Sequence, residues 1–259
     1  MIINNNISAI NTRNQLFITN TAAGKSMEKL SSGKRINRAA DDAAGLSISE
    51  KMRAQIRGLL QAARNAQDGI SLIQTAEGAL DEVSNMLVRL KELAVQKENG
   101  TYNDKDVENL ELEMKSLGEE ITNIIKNTKF NDKKVLSEDE EIAIIISDDG
   151  ETALTIGKPE LDDLDDLSSD SAVSDIETAI ESINKARATY GALQNRLEST
   201  VRNLKTTAEN LQAAESRIRD TDMAEEMSSF TKYSILIQAG TAMLAQANMA
   251  PQSVLSLLR

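Results

Sequence analysis

Apolar residues recur along most of this chain at alternating steps of four and three, the spacing that keeps one helical stripe facing a partner. Near the start Ile3, Ile7, Ile10, Asn14, Phe17, Thr21 and Gly24 follow it. Towards the end Met223, Met227, Phe230, Ser234, Ile237, Thr241, Leu244, Asn248, Pro251, Leu255 and Leu258 follow it as well. Both stripes predict coiled-coil helices rather than the broader apolar face of a globular helix.

The centre predicts three more helices. The first carries Met52, Ile56, Leu59, Ala63, Ala66, Ile70 and Ile73, then after one three-residue skip Ala76, Leu80, Val83, Leu87, Leu90 and Ala94. That skip is a stammer, expected to overwind a supercoil locally. A second helix is expected over about 106–127, with Val107, Leu110, Met114, Leu117, Ile121 and Ile124 in register. The third spans about 174–219 and carries Tyr190, Leu193, Leu197, Thr200, Leu204, Thr207, Leu211, Ala214 and Ile218. Between the first two, Glu98–Asp104 reads as a turn closing an antiparallel pair.

One stretch alternates with the period of a strand. Ile142, Ile144 and Ile146 are followed by the turn residues Asp148–Gly150 and then by Thr152, Leu154 and Ile156, which predicts a hairpin. The Asp-rich stretch after Pro159 reads as an exposed loop leading to a Ser-capped helix at about Ser174. Its aspartates lack the alternate spacing, central Gly and closing Glu of a calcium loop.

The expected fold class is mainly α: an elongated antiparallel coiled-coil or helical-bundle rod with one small β-hairpin, plus paired N- and C-terminal helices. A helix over about 45–97 would run about 80 Å at about 1.5 Å per residue, longer than a compact domain of this size is wide. The terminal stripes have no comparable partner in the chain except each other, and two helices leave a face uncovered. That geometry favours assembly with further copies, against a competing reading in which all five helices pack within one molecule. The Asn-rich start suits hydrogen bonds between neighbouring helices, or an N-cap at Asn4–Asn6.

Composition narrows the chemistry. The 259 residues contain no Cys, His or Trp, so thiolate nucleophiles, disulfides, Cys/His zinc sites and imidazole bases are unavailable. No catalytic residue, cofactor or metal site is expected. A net charge of −12 argues against a nucleic-acid partner. The longest purely apolar run, Ile142–Ile146, is far short of a membrane span. The first residues lack a basic region followed by an apolar one, so no cleaved signal peptide is expected.

Several motifs resemble the bacterial flagellin family. LSSGKRINRAADDAAGLSISEKMRAQIRG at Leu30–Gly58 is similar to the family signature where inner core meets outer rod. RNAQDGISLIQTAEGALDE at Arg64–Glu82 resembles the long helix that follows. On the C-terminal side, TYGALQNRLES (Thr189–Ser199), ESRIRDTDMAEEM (Glu215–Met227), AMLAQAN (Ala242–Asn248) and VLSLLR (Val254–Arg259) resemble the returning and closing helices. The resemblance covers roughly 1–135 and 175–259, with only a hairpin and an acidic loop where larger members carry variable outer domains.

The resemblance implies an inner filament core of residues 1–44 with 220–259, and an outer rod of 45–219 with its hairpin near 141–157. It implies polymerisation into the flagellar filament used for motility, with Ile3, Ile7, Ile10, Phe17, Met227, Phe230, Ile237, Leu244, Leu255 and Leu258 as core assembly residues. The implied partners are copies of itself, the flagellar type III export apparatus, a flagellin chaperone, the filament cap and hook-junction proteins. The implied location is the extracellular flagellum. VRLKELAVQ at Val88–Gln96 is similar to the segment read by the vertebrate innate flagellin receptor, which marks Arg89, Leu93 and, on the next helix, Glu113 as candidate contacts. The alternative reading makes Arg89 a solvated or intersubunit residue and has Leu93 pack between subunits. A hook-to-filament junction protein and a non-polymerising helical adaptor are the alternatives.

Overall fold

The computed structural model describes residues 6–137, 141–157 and 172–257, with side chains to 249. Ile3, Leu258, the side chain of Leu255 and the acidic loop after Pro159 lie outside the described residues. The elements run α1 (Ile7–Ser32), α2 (Ala43–Lys97), α3 (Asp104–Asn127), β1 (Lys129–Phe130), β2 (Lys133–Lys134), β3 (Ile142–Ile145), β4 (Ala153–Ile156), α4 (Val173–Arg219) and α5 (Met223–Leu257). They fall into two compact units, one of Met1–Ala54 with Asn210–Arg259, the other of Gln55–Glu209.

The Gln55–Glu209 unit holds the larger core. Along α2 the expected stripe is buried from Leu59 through Ala94, Ile70 being half-buried, and the three-residue skip at Ile73–Ala76 leaves it unbroken. Met114, Ile121 and Ile125 face it from α3, and Ile176, Ala179, Ile183, Tyr190 and Leu197 from α4. Both neighbours run antiparallel to α2. Lys97 pairs with Glu111 at 2.8 Å and Arg89 with Glu113 at 3.0 Å, while Lys91 pairs with Glu177 at 2.8 Å and Arg187 with Asp81 at 2.9 Å. On α4 the expected stripe drifts beyond Leu197. Val201 and Ala208 are buried in place of Thr200 and Thr207, because a straight helix turns slightly more slowly than a heptad repeat requires.

The hairpin pairs Ile142 with Ile156 and Ile144 with Leu154, burying Ile144, Leu154 and Ile156. Gly150 takes φ 77° in its turn. Gly69 on α2 lets the hairpin approach, since a Cβ there would overlap the Ile144 side chain. A second hairpin, β1–β2, was not expected. Its turn residues Asn131 and Asp132 sit at φ 50° and 64°, the left-handed pair that a two-residue hairpin turn needs. The expected serine cap on α4 is also corrected. Ser174 lies inside the first turn, and it is Asp175 whose carboxylate accepts the Ala172 N–H at 3.2 Å.

In the other unit α1 and α5 lie antiparallel. The Asn6 side chain donates to the Ala247 carbonyl at 2.8 Å, and Lys29 reaches Glu226 at 3.4 Å. Asn6 caps α1, accepting the Ala9 N–H at 3.1 Å. Gly33 ends it at φ 69°, a left-handed cap that costs little without a Cβ. The chain then crosses to α4's end: Arg35 N–H meets the Arg219 carbonyl at 2.7 Å and its guanidinium the Ile218 carbonyl at 2.6 Å. Thr221 N–H returns to the Gly33 carbonyl at 3.1 Å. Asp42 and Asp222 then start α2 and α5 by accepting the N–H groups of Gly45 and Ala224, each at 2.8 Å.

Candidate assembly and recognition surfaces

The α1–α5 contact does not use the stripe that α1 was expected to bury. Thr19, Ala23 and Ser26 are its buried residues, with Ala9, Thr12 and Leu16 half-buried on the same face. Leu16 packs against Gly240. Ile7, Ile10 and Phe17 point elsewhere, and Phe17 is 73% exposed and Ile7 60%. The heptad spacing is present, but its phase is shifted so that small and hydroxylated residues meet α5. On α5 the expected stripe is nearer. Phe230, Ser234, Ile237 and Leu244 are half-buried, while Met223 and Met227 are exposed.

Much apolar area therefore stays in water. Beside Ile7, Ile10 and Phe17, α1 exposes Ile18 and Met27, and α5 exposes Met223, Met227, Ile235, Leu236, Met243 and Met249. No α5 residue among those described is fully buried. A folded monomer seldom leaves apolar side chains so concentrated on one helix pair; such a face marks an interaction surface. Ile235, Leu236 and Met243 fell off the four-three stripe, and the signal that could have found them is that α5 carries apolar residues on more than one side.

Charge sets the joint beneath these helices. Arg219 binds Glu50 at 2.5 Å, and Arg53 holds the same carboxylate at 3.1 Å. The Arg219 hydrogen bond is the main reason Glu50 ionises below its ordinary range; desolvation opposes it, and attraction to Arg53 adds to it. In the α1–α2 connection Asp41 accepts the N–H groups of Arg38 at 3.0 Å and Asn37 at 3.2 Å, and the Arg38 bond chiefly lowers its carboxyl. Ile36 between them is buried and anchors the loop.

On the Gln55–Glu209 unit the three candidate recognition residues divide. The Arg89 guanidinium bridges helices, reaching Glu113 on α3 at 3.0 Å and Glu92 on its own helix at 3.1 Å. Glu113 leads the interactions that raise Arg89 above its ordinary value. Both Arg89 and Glu113 are exposed. Leu93 is not: it is 1% exposed and packs with Leu90, Ala94, Met114 and Ile176. The expectation that Leu93 shares an open surface with Arg89, or packs between subunits, is corrected, because the inward stripe of α2 includes it. The exposed apolar residues of α2 and α3 in this part of the sequence are Val88, Val95 and Leu112.

Among the described residues, no group of three or more acidic, His or Cys side chains could hold a metal ion, and no helix is long and apolar enough to cross a membrane.

Comparison with known proteins gives the same family from both ends of the chain. The bacterial flagellin N-terminal helical region matches residues 3–141, and the bacterial flagellin C-terminal helical region matches residues 173–258. The chain is 52% identical to a flagellin of Halalkalibacterium halodurans over 272 residues, covering all of both chains. It is 47% identical to a flagellin of Bacillus subtilis over 304 residues, again covering both completely. A flagellar filament core protein of Treponema maltophilum is 46% identical over 288 residues, with full coverage of each. The helix order, the paired terminal helices and these full-length matches agree: this chain belongs to the bacterial flagellin family.

Proposed function

We propose that the chain is a structural subunit that polymerises with copies of itself into a bacterial flagellar filament serving motility. The observation that carries this reading is the apolar surface left open on α1 and α5, above all Ile7, Ile10 and Phe17. Its full-length relatives include a protein named for the flagellar filament core. In the filament, neighbouring copies cover the faces that α1 and α5 leave in water, and residues 1–44 with 220–259 form the inner core. Ile3, Met227, Phe230, Ile237, Leu244, Leu255 and Leu258 complete the apolar contacts there. The subunit leaves the cell unfolded through the flagellar export apparatus, escorted by a chaperone, and adds beneath the cap to a filament begun on the hook-junction proteins. Chemistry plays no part in this role.

Seeded elongation tests the reading. Purified chain added to sheared filament fragments lengthens them under electron microscopy. A chain that stays soluble beside active seeds has another role, as a helical adaptor would.

Innate recognition is a separate proposal. Arg89 and Glu113 supply an exposed, charge-complementary patch that a vertebrate flagellin receptor reads, with Leu93 supporting α2 from below rather than touching the partner. Arg89→Ala should weaken receptor signalling while leaving seeded elongation possible, and unchanged signalling would remove the patch from the receptor footprint.

A further inference from the structure

The chain has one Asn–Gly pair, Asn99–Gly100. It lies in the connection between α2 and α3, just past the helix end at Lys97. Residues 98 to 106 are all exposed, and a Cβ built on Gly100 would meet nothing within 4 Å. The backbone bonds of the turn run from Asn99 N–H to the Gln96 carbonyl at 3.2 Å and from Thr101 N–H to the Asn99 carbonyl at 2.8 Å, on either side of the Gly100 nitrogen. That nitrogen is a bare, solvent-facing amide whose residue has the widest backbone freedom of any.

We propose that Asn99 is a site of spontaneous deamidation, which turns this solvent-facing turn into an irreversible record of subunit age. Base removes the proton from the Gly100 nitrogen, which attacks Cγ of Asn99. A new C–N bond closes a five-membered succinimide, and the side-chain nitrogen departs as ammonia. Water then adds to either succinimide carbonyl and breaks that carbonyl's bond to nitrogen. The product is aspartate, or isoaspartate with one extra carbon in the main chain. Water enters, ammonia leaves, and nothing is oxidised or reduced.

Each event adds one negative charge, taking the formal charge from −12 to −13. The new carboxylate stands beside Glu98 and two residues from Lys97, whose ammonium pairs with Glu111 at 2.8 Å. Other asparagines serve as internal controls. Asn123 and Asn195 lie within α3 and α4 and are followed by Ile124 and Arg196, whose side chains shield the following nitrogen.

The test incubates the full-length chain in mildly alkaline buffer and follows peptides by mass spectrometry, with fragmentation that separates isoaspartate from aspartate. Conversion at position 99 should exceed that at Asn123 and Asn195 by on the order of tenfold, with isoaspartate present. Gly100→Ala, checked by circular dichroism to be folded, should slow it by about tenfold. An intact Asn99 amide after a time in which a free peptide of the same sequence has converted would overturn the proposal, as would an unchanged rate in Gly100→Ala.

Discussion

Leu16 on α1 meets α5 at Gly240, so closely that a Cβ on Gly240 would lie 3.1 Å from the leucine Cδ1. The terminal helices are held by contacts of this small-residue kind and by few others. Their buried side chains are Thr19, Ala23 and Ser26, whereas α2 alone buries Leu80, Val83, Leu87 and Leu90 completely. Gly240→Leu should loosen the pair: overpacking costs about 1–3 kcal/mol, while leaving glycine in a helix returns only about 1 kcal/mol. Hydrogen exchange checks this. Amides of α1 and α5 should exchange faster than those of α2–α4 in the wild-type monomer and faster still in the variant, while Gln55–Glu209 is unchanged. Protection of α1 that is unaffected by the leucine would show that this contact does not hold the pair.

Arg89 and Leu93 should separate cleanly on mutation. Arg89→Ala removes two exposed, solvent-screened ion pairs, to Glu113 and Glu92, and should barely change stability. Leu93→Ala empties a buried site and costs about 2–5 kcal/mol. Denaturant unfolding of the monomer measures both. Equal, small effects would mean that Leu93 does not pack in the core.

Tyr190 offers a pH signature. Its side chain is buried in the helical core, its hydroxyl finds no hydrogen-bond partner among the described residues, and burial pushes its pKa up to about 12 from 10.0. The folded state therefore keeps the proton that the unfolded chain releases. Stability from this group is intact below about pH 10 and falls by roughly 3 kcal/mol as pH rises towards 12. Tyr190→Phe lacks that loss, so its stability advantage over wild type should widen across this range. A constant difference from neutral to alkaline pH would refute the buried, unpartnered phenol.

The three long central elements and the Ile142–Ile156 hairpin were legible because each buries its stripe within the chain, where size and hydrophobicity report directly on position. The terminal helices were legible in period and not in phase. Choosing the phase by the largest apolar residues assumes that Ile7, Ile10 and Phe17 are buried by this chain, yet Leu16, Thr19 and Ala23 face α5 instead. Leu93 failed for the opposite reason. A resemblance marked it as a contact, and the four-three stripe passed it by for Ala94, whereas the structure buries Leu93 together with Leu90 and Ala94. The β1–β2 hairpin has two-residue strands, too short for any alternation, and only Asn131–Asp132 signalled its turn.

Whether the open face of α1 is an assembly surface is best decided at Phe17. Its side chain is exposed in the monomer, so Phe17→Lys should leave circular dichroism and thermal unfolding of the monomer unchanged. If copies cover it in the filament, the substitution removes about 1.5–3 kcal/mol of burial per subunit and leaves a charge in an apolar contact. At about 1.4 kcal/mol per tenfold, the critical concentration for seeded elongation should rise by one to two orders of magnitude or about that much. Sedimentation of seeded reactions across a range of subunit concentrations measures it. A pelleted fraction that collapses while the monomer stays folded is the predicted result; a critical concentration equal to that of the wild type would contradict assembly through this face.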